Sequence, residues 1–464
     1  MNRMTPYPSY RPHDLDGIEQ VPEHWITWKV THGFRLIGSG TTPKSDNSSY
    51  YGGDIPWVTT SELRENLITE TKNGITYSAL RDYSTLKLYQ SGALAIAMYG
   101  ATIGRLGIFG IPATTNQACC VFDNPEQFDI KFFFYWLWMQ RPNLIALSVG
   151  GGQPNLSQDD LKKLRVPAPA ISEQTQISRF LDYKTAQLDQ LIAKKQALIE
   201  RLNEQRIALI TQAVTRGLNL DVPLKDSGVE WLGQVPEGWD LLKIKFLVTM
   251  TGGGTPNTSK KDYWNGDIPW VSPKDMKTSL ISETIDYITE IGIAESSTKL
   301  IENPSVLIVV RSGILQHSIP VAINSRPVTL NQDMKALSTN PELLSTNYLY
   351  YFIEGLQSTL LPIWSKSGCT VESIETDYLM NTLLPVPSLA CQAEITTYLE
   401  KKVKEISSLS DKARETINRL EEYRTALITA AVTGKIDVRD IQVPVTPNDG
   451  PTSENIHEKA SSQA

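Results

Sequence analysis

The sequence predicts an α+β protein in which two repeated domains are joined by two long antiparallel coiled-coil helices with pseudo-two-fold symmetry. Three observations predict it. The hexapeptide GDIPWV stands at Gly53–Val58 and again at Gly266–Val271, 213 positions on. ALITQAVTRG (Ala208–Gly217) and ALITAAVTGK (Ala426–Lys435) share seven of ten letters at an offset of 218. Two runs, Ser172–Thr215 and Ala390–Thr433, contain neither Gly nor Pro. A fixed offset maintained over several motifs is the signature of a duplicated unit.

The elements follow in order. Residues 1–25 form a proline-marked arm ending in VPEHW (Val21–Trp25), and residues 217–239 form a linker arm ending in VPEGW (Val235–Trp239). Domains follow each arm, at 26–171 and 240–389. In both, short apolar runs bounded by turn formers predict strands: GALAIAMYG (Gly92–Gly100) and RLGIFG (Arg105–Gly110), then SVLIVVRSG (Ser305–Gly313) and IPVAIN (Ile319–Asn324). Helical segments are expected at Ile130–Arg141 and Asn347–Leu361. GTTP (Gly40–Pro43) matches GGTP (Gly253–Pro256), NQ (Asn116–Gln117) matches Asn331–Gln332, and RVPAP (Arg165–Pro169) resembles LPVPS (Leu384–Ser388). Within GDIPWV, Gly-Asp reads as a turn and the residue before Pro is held extended. On that reading Trp57 and Trp270 fill equivalent core positions, with Asp54 and Asp267 capping the turn.

Long helices are expected at 172–216 and 390–434. Leu181, Leu188, Leu202 and Leu209 step by sevens, interrupted by Lys195, and Leu399, Ile406, Ala413, Leu420 and Leu427 repeat the phase 218 residues later. Leu191, Leu198 and Leu409 suggest a companion row, and such seams favour a coiled coil. A helix of about 42 residues is on the order of 60 Å long, long enough to serve as a ruler between two heads. Separate packing of each helix on its own domain is the plainer alternative. The repeated helix ends supply Leu209, Ile210, Val214, Leu427, Ile428 and Val432, which fit either docking of partner subunits or a tight intrachain junction. Residues 435–464, rich in Pro, Asn, Ser and Glu toward the end, are expected to form a flexible tail.

Composition bounds the class. The chain has 464 residues with 41% hydrophobic content, more than one core usually supports. Four cysteines lack a disulfide-framework spacing, and with no apolar signal core in MNRMTPYPSY they favour a reducing, cytoplasmic location. FFFYWLWM (Phe132–Met139) is far shorter than the roughly 20 residues needed to cross a bilayer, and reads as a buried helix. The net charge is −7; residues 26–165 carry 13 basic and 11 acidic groups, and residues 240–384 carry 11 and 15. Such a balance does not describe a chain that engulfs nucleic acid unaided; it leaves room for a local basic face, and much of the phosphate attraction is expected from a partner.

Frames that repeat around loops that differ are what two reading heads require. Amides, hydroxyls and cations gather in Gly40–Gly52 and Gly253–Gly266, just before GDIPWV, and in Ser148–Leu161 and Ser365–Leu379, just before the long helices. Candidate DNA-binding residues are Lys44, Asn47, Arg105, Gln153, Asn155, Lys260, Lys261, Lys274, Lys366 and Thr370. Cations neutralise phosphates, while Asn, Gln, Thr and Arg pair with base edges. An ordinary solvent loop is the alternative for each, and for Gly100–Arg105 a simple strand-to-strand turn.

Catalytic signatures are weak. There is no GxxxxGK[ST] or HExxH, and the five histidines never approach cysteines at metal-ligand spacing. No catalytic or metal-ligating residue is nominated. The order arm, domain, long helix, repeated once, with GVEWLGQVPEGW (Gly228–Trp239), the paired GTTP/GGTP and GDIPW motifs, and RLNEQRIALITQAVTRG (Arg201–Gly217) beside RLEEYRTALITAAVTGK (Arg419–Lys435), resembles the specificity subunit of type I restriction–modification systems.

The resemblance covers nearly the whole chain through about Asp440. It implies two target recognition domains, each binding half of an asymmetric bipartite duplex site, and helices that set the spacer. It further implies a chain without its own catalytic site or bound cofactor. Its partners would be double-stranded DNA, two modification subunits that use S-adenosylmethionine to methylate adenine, and up to two restriction subunits that use ATP and Mg2+. The family's base-reading residues vary, so the resemblance assigns no individual contact here. From the loops and helices alone, a coiled-coil scaffold whose two domains recognise proteins remains the alternative.

Overall fold

A computed structural model describes residues 4–15, 17–147, 155–366 and 371–444. The chain divides into two compact units, Met1–Lys194 with Thr416–Ala464, and Lys195–Glu415. Each unit contains one recognition domain, the beginning of the long helix that follows it, and the end of the other long helix. The long helices span Ile171–Arg216 and Leu389–Val432.

In the first unit a five-stranded sheet runs in the order Phe34–Ser39, Cys119–Pro125, Leu94–Ala97, Leu106–Phe109 and Asn66–Ile68. Its pairs are antiparallel except the last, which is parallel. Every residue of Leu94–Ala97 is buried, as its unbroken apolar run requires. A three-stranded sheet centres on Tyr51–Val58, flanked by Thr114–Thr115 and Gly74–Ile75. The apolar helix Ile130–Leu147 closes the core, extending past the sequence expectation and accommodating Pro142.

The second unit repeats this element for element. Val248–Gly252, Met334–Thr339, Val306–Val309, Val321–Asn324 and Leu280–Ile281 form the five-stranded sheet, and Trp264–Val271 lies between Asp286–Ile288 and Thr329–Leu330. Thr346–Trp364 is the equivalent core helix.

The attachment of domain to helix is also duplicated. Gln174, fully buried in the first turn of its helix, donates from Nε2 to the carbonyls of Gln127 (2.9 Å) and Pro169 (2.8 Å), and accepts from the Asp129 amide (2.8 Å). Gln392 makes the same three bonds with Leu343, Pro387 and Ser345 at 2.8–2.9 Å. One turn on, Ile177 and Leu181 enter the first core, and Ile395 and Leu399 the second.

The helix ends complete these cores. Leu427, Ile428 and Val432 lie in the first unit's core with Leu181, and Ile210 and Val214 in the second unit's core with Leu399. Leu209 is half-buried against the second core. Of the two readings open for these side chains, the structure shows the intrachain junction: all but Leu209 are buried in the chain's own cores. Each helix then stops on a glycine in the left-handed region, Gly217 (φ 80°) and Gly434 (φ 72°). A Cβ on Gly217 would sit 3.1 Å from the Trp239 ring, and one on Gly434 3.2 Å from Trp25 and 2.4 Å from Pro22. The VPExW repeat is thus the packing partner of a helix end.

Within the first unit the two helical segments run antiparallel, because Asp189 pairs with Arg424 (2.6 Å) while Gln176, about three and a half turns earlier, bonds the carbonyls of Val438 and Ile441, which follow Arg424 in the chain. Leu181, Leu188, Leu202, Leu399, Ile406, Ala413 and Leu427 are buried, and Leu209 and Leu420 half-buried. The companion row is not the expected one. Leu191, Leu198 and Leu409 are 46%, 41% and 52% exposed, whereas Ile192 and Ser410 are buried. The step from Leu188 is four residues, not three, which rotates the companion position onto the next side chain.

The tail expectation is corrected for its first ten residues. Asp437 donates its amide to the Thr5 carbonyl (2.8 Å), Val438 is fully buried, and Ile436, Ile441 and Val443 pack on the first core. Four apolar residues in eight suffice to dock a segment that has too little periodicity to be recognised in sequence. Residues 445–464 lie outside those described. Among the described residues, no helix is long and apolar enough to cross a membrane.

Candidate nucleic-acid interface

Three neighbouring strands of the five-stranded sheet reach one edge together in each unit. In the first unit Ser39 pairs with Cys120 and Ala97 with Cys119, so the loops after Ser39, before Cys119 and after Ala97 emerge side by side. The repeated motifs meet at this edge. GDIPWV is not a turn followed by a strand. It lies wholly within Tyr51–Val58 and Trp264–Val271, with a bulge: Tyr51 and Ile55 both pair with Ile75, and Trp264 and Ile268 both pair with Ile288. Asp54 and Asp267 are exposed strand residues rather than turn caps. Glycine is required beside them because a Cβ on Gly53 or Gly266 would approach the carbonyl of Ile75 or Ile288 to 2.4 Å.

The motif's tryptophan carries the loop. Trp57 donates from Nε1 to the Thr41 carbonyl (3.3 Å), and Trp270 to the Gly254 carbonyl (3.0 Å). Thr42 donates its hydroxyl to Gln117 Oε1 (2.5 Å), and Thr255 does the same to Gln332. Asn116 and Asn331 donate their amides to Val58 and Val271, at the end of each GDIPWV strand. A Cβ on Gly40 or Gly253 would collide with the backbone of Thr115 or Asn331. GTTP/GGTP, GDIPW and NQ are therefore parts of one clamp, present twice.

The second pair of loops joins the same edge. Leu156 donates its amide to the Met98 carbonyl (2.9 Å) beside a bridge between Tyr99 and Asn155; Ile374 donates to Val310 (2.8 Å) beside a bridge between Arg311 and Ser373. Asn155 is thereby brought next to the Gly100–Arg105 segment, which is a turn between two antiparallel strands as well as part of the edge. In the second unit Arg311 Nε pairs with Asp333 Oδ1 (2.8 Å), next to Gln332.

The candidates divide by what holds them. Lys44, Lys261, Lys274 and Asn155 are exposed. Asn47 caps a short helical turn by accepting from the Ser49 amide (3.1 Å), so its carbonyl oxygen is occupied locally. Arg105 Nη1 lies 3.9 Å from Glu65, which also pairs with Arg141 (3.1 Å). Lys260 contacts the Tyr263 hydroxyl and Glu295 (3.2 Å), bonds that raise its pKa, while the hydrogen bonds Glu295 accepts from Tyr263 and Lys260 lower the pKa of Glu295. Lys366 pairs with Glu375 (3.2 Å). Gln153 and Thr370 lie outside the described residues. Sequence reasoning passed over Gln117, Gln332, Arg141 and Arg311. The two glutamines carry a signal, their identity within the repeated NQ, which in sequence alone only aligns the halves.

The duplicated edge can be compared with known proteins. The model of the type I restriction modification DNA specificity domain matches residues 22–201 and again residues 236–419. The chain belongs to this family. The specificity subunit of the type I restriction enzyme EcoR124I/EcoR124II of Escherichia coli is 34% identical over 283 residues, 59% of this chain; the match spans 63% of that subunit, less than two thirds of its length. The MjaIX specificity subunit of Methanocaldococcus jannaschii is 25% identical over 91% of this chain and 96% of its own. Among solved structures, a chain of a type I R-M system covers 90% of this one and 99% of itself with a TM-score of 0.68 at 17% identity. The HsdS subunit from Thermoanaerobacter tengcongensis gives 0.53 at 15% identity over 90% of this chain and 99% of its own. At such identities the structures speak for the shared fold of these specificity proteins. Two family matches in one chain correspond to the two domains, each with its own clamp.

Proposed function

We propose that this chain is the non-catalytic specificity subunit of a type I restriction–modification complex, and that each unit reads one half of an asymmetric, bipartite duplex site. The observation that carries this is the clamp: Trp57, Thr42 and Gln117, matched by Trp270, Thr255 and Gln332, hold loops of different content in the same frame. A constant frame with exchangeable contents suits two heads that read different sequences by one geometry. The long helices set the unspecified spacer between half-sites. Two modification subunits supply S-adenosylmethionine and adenine methylation, and up to two restriction subunits supply ATP- and Mg2+-dependent cleavage. Base access for methylation requires the adenine to leave the stack, and this chain positions the site for that step.

The test is exchange of residues 26–165 for the corresponding domain of a related subunit, followed by methylation sequencing of DNA from cells expressing the complex. One half of the modified motif changes and the other is retained. A change in both halves, with the complex intact, overturns independent reading; methyl transfer by the pure chain alone overturns the division of labour.

A further inference from the structure

The two exposed glutamines of the clamp call for a function that the clamp alone does not supply. Gln117 and Gln332 are both exposed, as are Thr42 and Thr255, which donate to them. A hydrogen bond between exposed side chains competes with water and contributes little to stability. The loops are already fastened without it, by the indole N–H of Trp57 or Trp270 and by the closely packed Gly40 or Gly253. Loop support alone therefore does not account for the same Thr and Gln at both edges, where the loops beyond the repeated GTTP/GGTP and NQ differ.

The geometry explains it differently. The threonine hydroxyl engages Oε1, which fixes the orientation of the carboxamide and leaves the Nε2 protons as the group available to a ligand. Gln332 Nε2 donates weakly to Asp333 Oδ2 (3.5 Å), a carboxylate whose other oxygen, Oδ1, accepts from Arg311 Nε (2.8 Å), so one Nε2 proton remains for a ligand; Gln117, followed by Ala118, has no such neighbour. A donor oriented by the same threonine in two heads that read different sequences is suited to something both half-sites share.

We infer that Gln117 and Gln332 each donate from Nε2 to a phosphate oxygen of the DNA backbone, setting the register of their head on its half-site without reading a base. This rests on the DNA-specificity reading above. Phosphate contacts of this kind position a protein on the duplex and carry no direct sequence information. The identity of the glutamines and the variability of the surrounding loops then have separate causes.

The experiment uses the full chain assembled with its modification subunit, and Gln117→Glu and Gln332→Glu. Glutamate retains Oε1 for the threonine hydroxyl but replaces the donor with an anion. Binding of the native site is expected to fall about tenfold or more, the order of one charge-assisted hydrogen bond. The methylated motif and the melting temperature stay unchanged. Duplexes carrying a neutral methylphosphonate at single backbone positions then locate the contact. At one position in one half-site the difference between wild type and Gln117→Glu disappears, and at the equivalent position of the other half-site so does that for Gln332→Glu.

An altered base preference at one motif position would overturn the inference in favour of base reading. Unchanged affinity, or a loss that no methylphosphonate suppresses, would overturn it in favour of a loop-supporting role. If the wild-type complex shows no sequence-specific binding at all, it is the broader reading that fails.

Discussion

Replacement of Gln174 by methionine removes the three hydrogen bonds that tie the first recognition domain to its helix while nearly preserving volume. Two carbonyls, of Gln127 and Pro169, and one amide, of Asp129, lose their partner around a side chain with 0% exposure. Each buried group left unpaired costs about 1–3 kcal/mol, so the three together amount to roughly 3–6 kcal/mol after partial relaxation. For a unit of this size each kcal/mol lowers the melting temperature by roughly 2–4 °C, giving a fall of about 6–24 °C.

Calorimetry reads the fall, and hydrogen exchange with mass spectrometry reads its origin, because the Asp129 amide loses its acceptor and exchanges faster. Gln392→Met is the internal replicate and accelerates exchange at Ser345 instead. An unchanged melting temperature with unchanged exchange around Asp129 would refute the assignment of this junction to the buried amide.

Three further outcomes are expected. Gly434→Ala, at φ 72° with Pro22 only 2.4 Å from the new Cβ, destabilises more than Gly52→Ala, at φ 75° with open space around it; thermal unfolding of the two variants separates collision from backbone strain of about 1–2 kcal/mol. Lys44→Met and Lys261→Met weaken binding of all DNA sequences alike and each reduces the slope of log K against log salt by about one, whereas a change confined to the native site would indicate base contact. Asp437 is held below its ordinary pKa chiefly by its hydrogen bonds from Arg439. Its contribution is therefore present above the ordinary carboxylate range and is lost as pH falls through the depressed value, below about pH 4. Arg439→Ala removes most of that contribution, so residues 435–444 are cut faster by protease at neutral pH and the rate rises less on acidification.

The parts of this fold that sequence exposes are those held by local pattern. Leu94–Ala97 and Val306–Val309 are short unbroken apolar runs between turn formers, and the structure buries them in the centre of each sheet. The long helices are legible because neither Gly nor Pro interrupts them. The seam is ambiguous in sequence at one step, since Leu191 and Ile192 are both apolar and a heptad allows a stride of three or four; the structure buries Ile192. Of the site, the repeated letters were visible but their meeting was not. Thr42 and Gln117 are 75 residues apart, and only the pairing of Ser39 with Cys120 brings their loops together. Gln174 and Gln392 were readable as one polar letter kept at the 218 offset within a helix. Polar residues in a first turn are common enough that burial could not be deduced from position.

The exchange of helix ends between the two cores has a consequence for biosynthesis. The first unit takes its last core residues, Leu427, Ile428, Val432 and Val438, from segments translated more than two hundred residues after Lys194. At about 5–20 residues per second the ribosome needs on the order of 10–45 s to deliver them. During that interval Ile177, Phe180 and Leu181 face a core lacking its final wall, whereas the second unit, Lys195–Glu415, is contiguous and has all its parts as soon as it emerges. The domain translated first is therefore the one completed last, and the nascent chain is most exposed to misassociation along that unfinished apolar face while the second domain is being made.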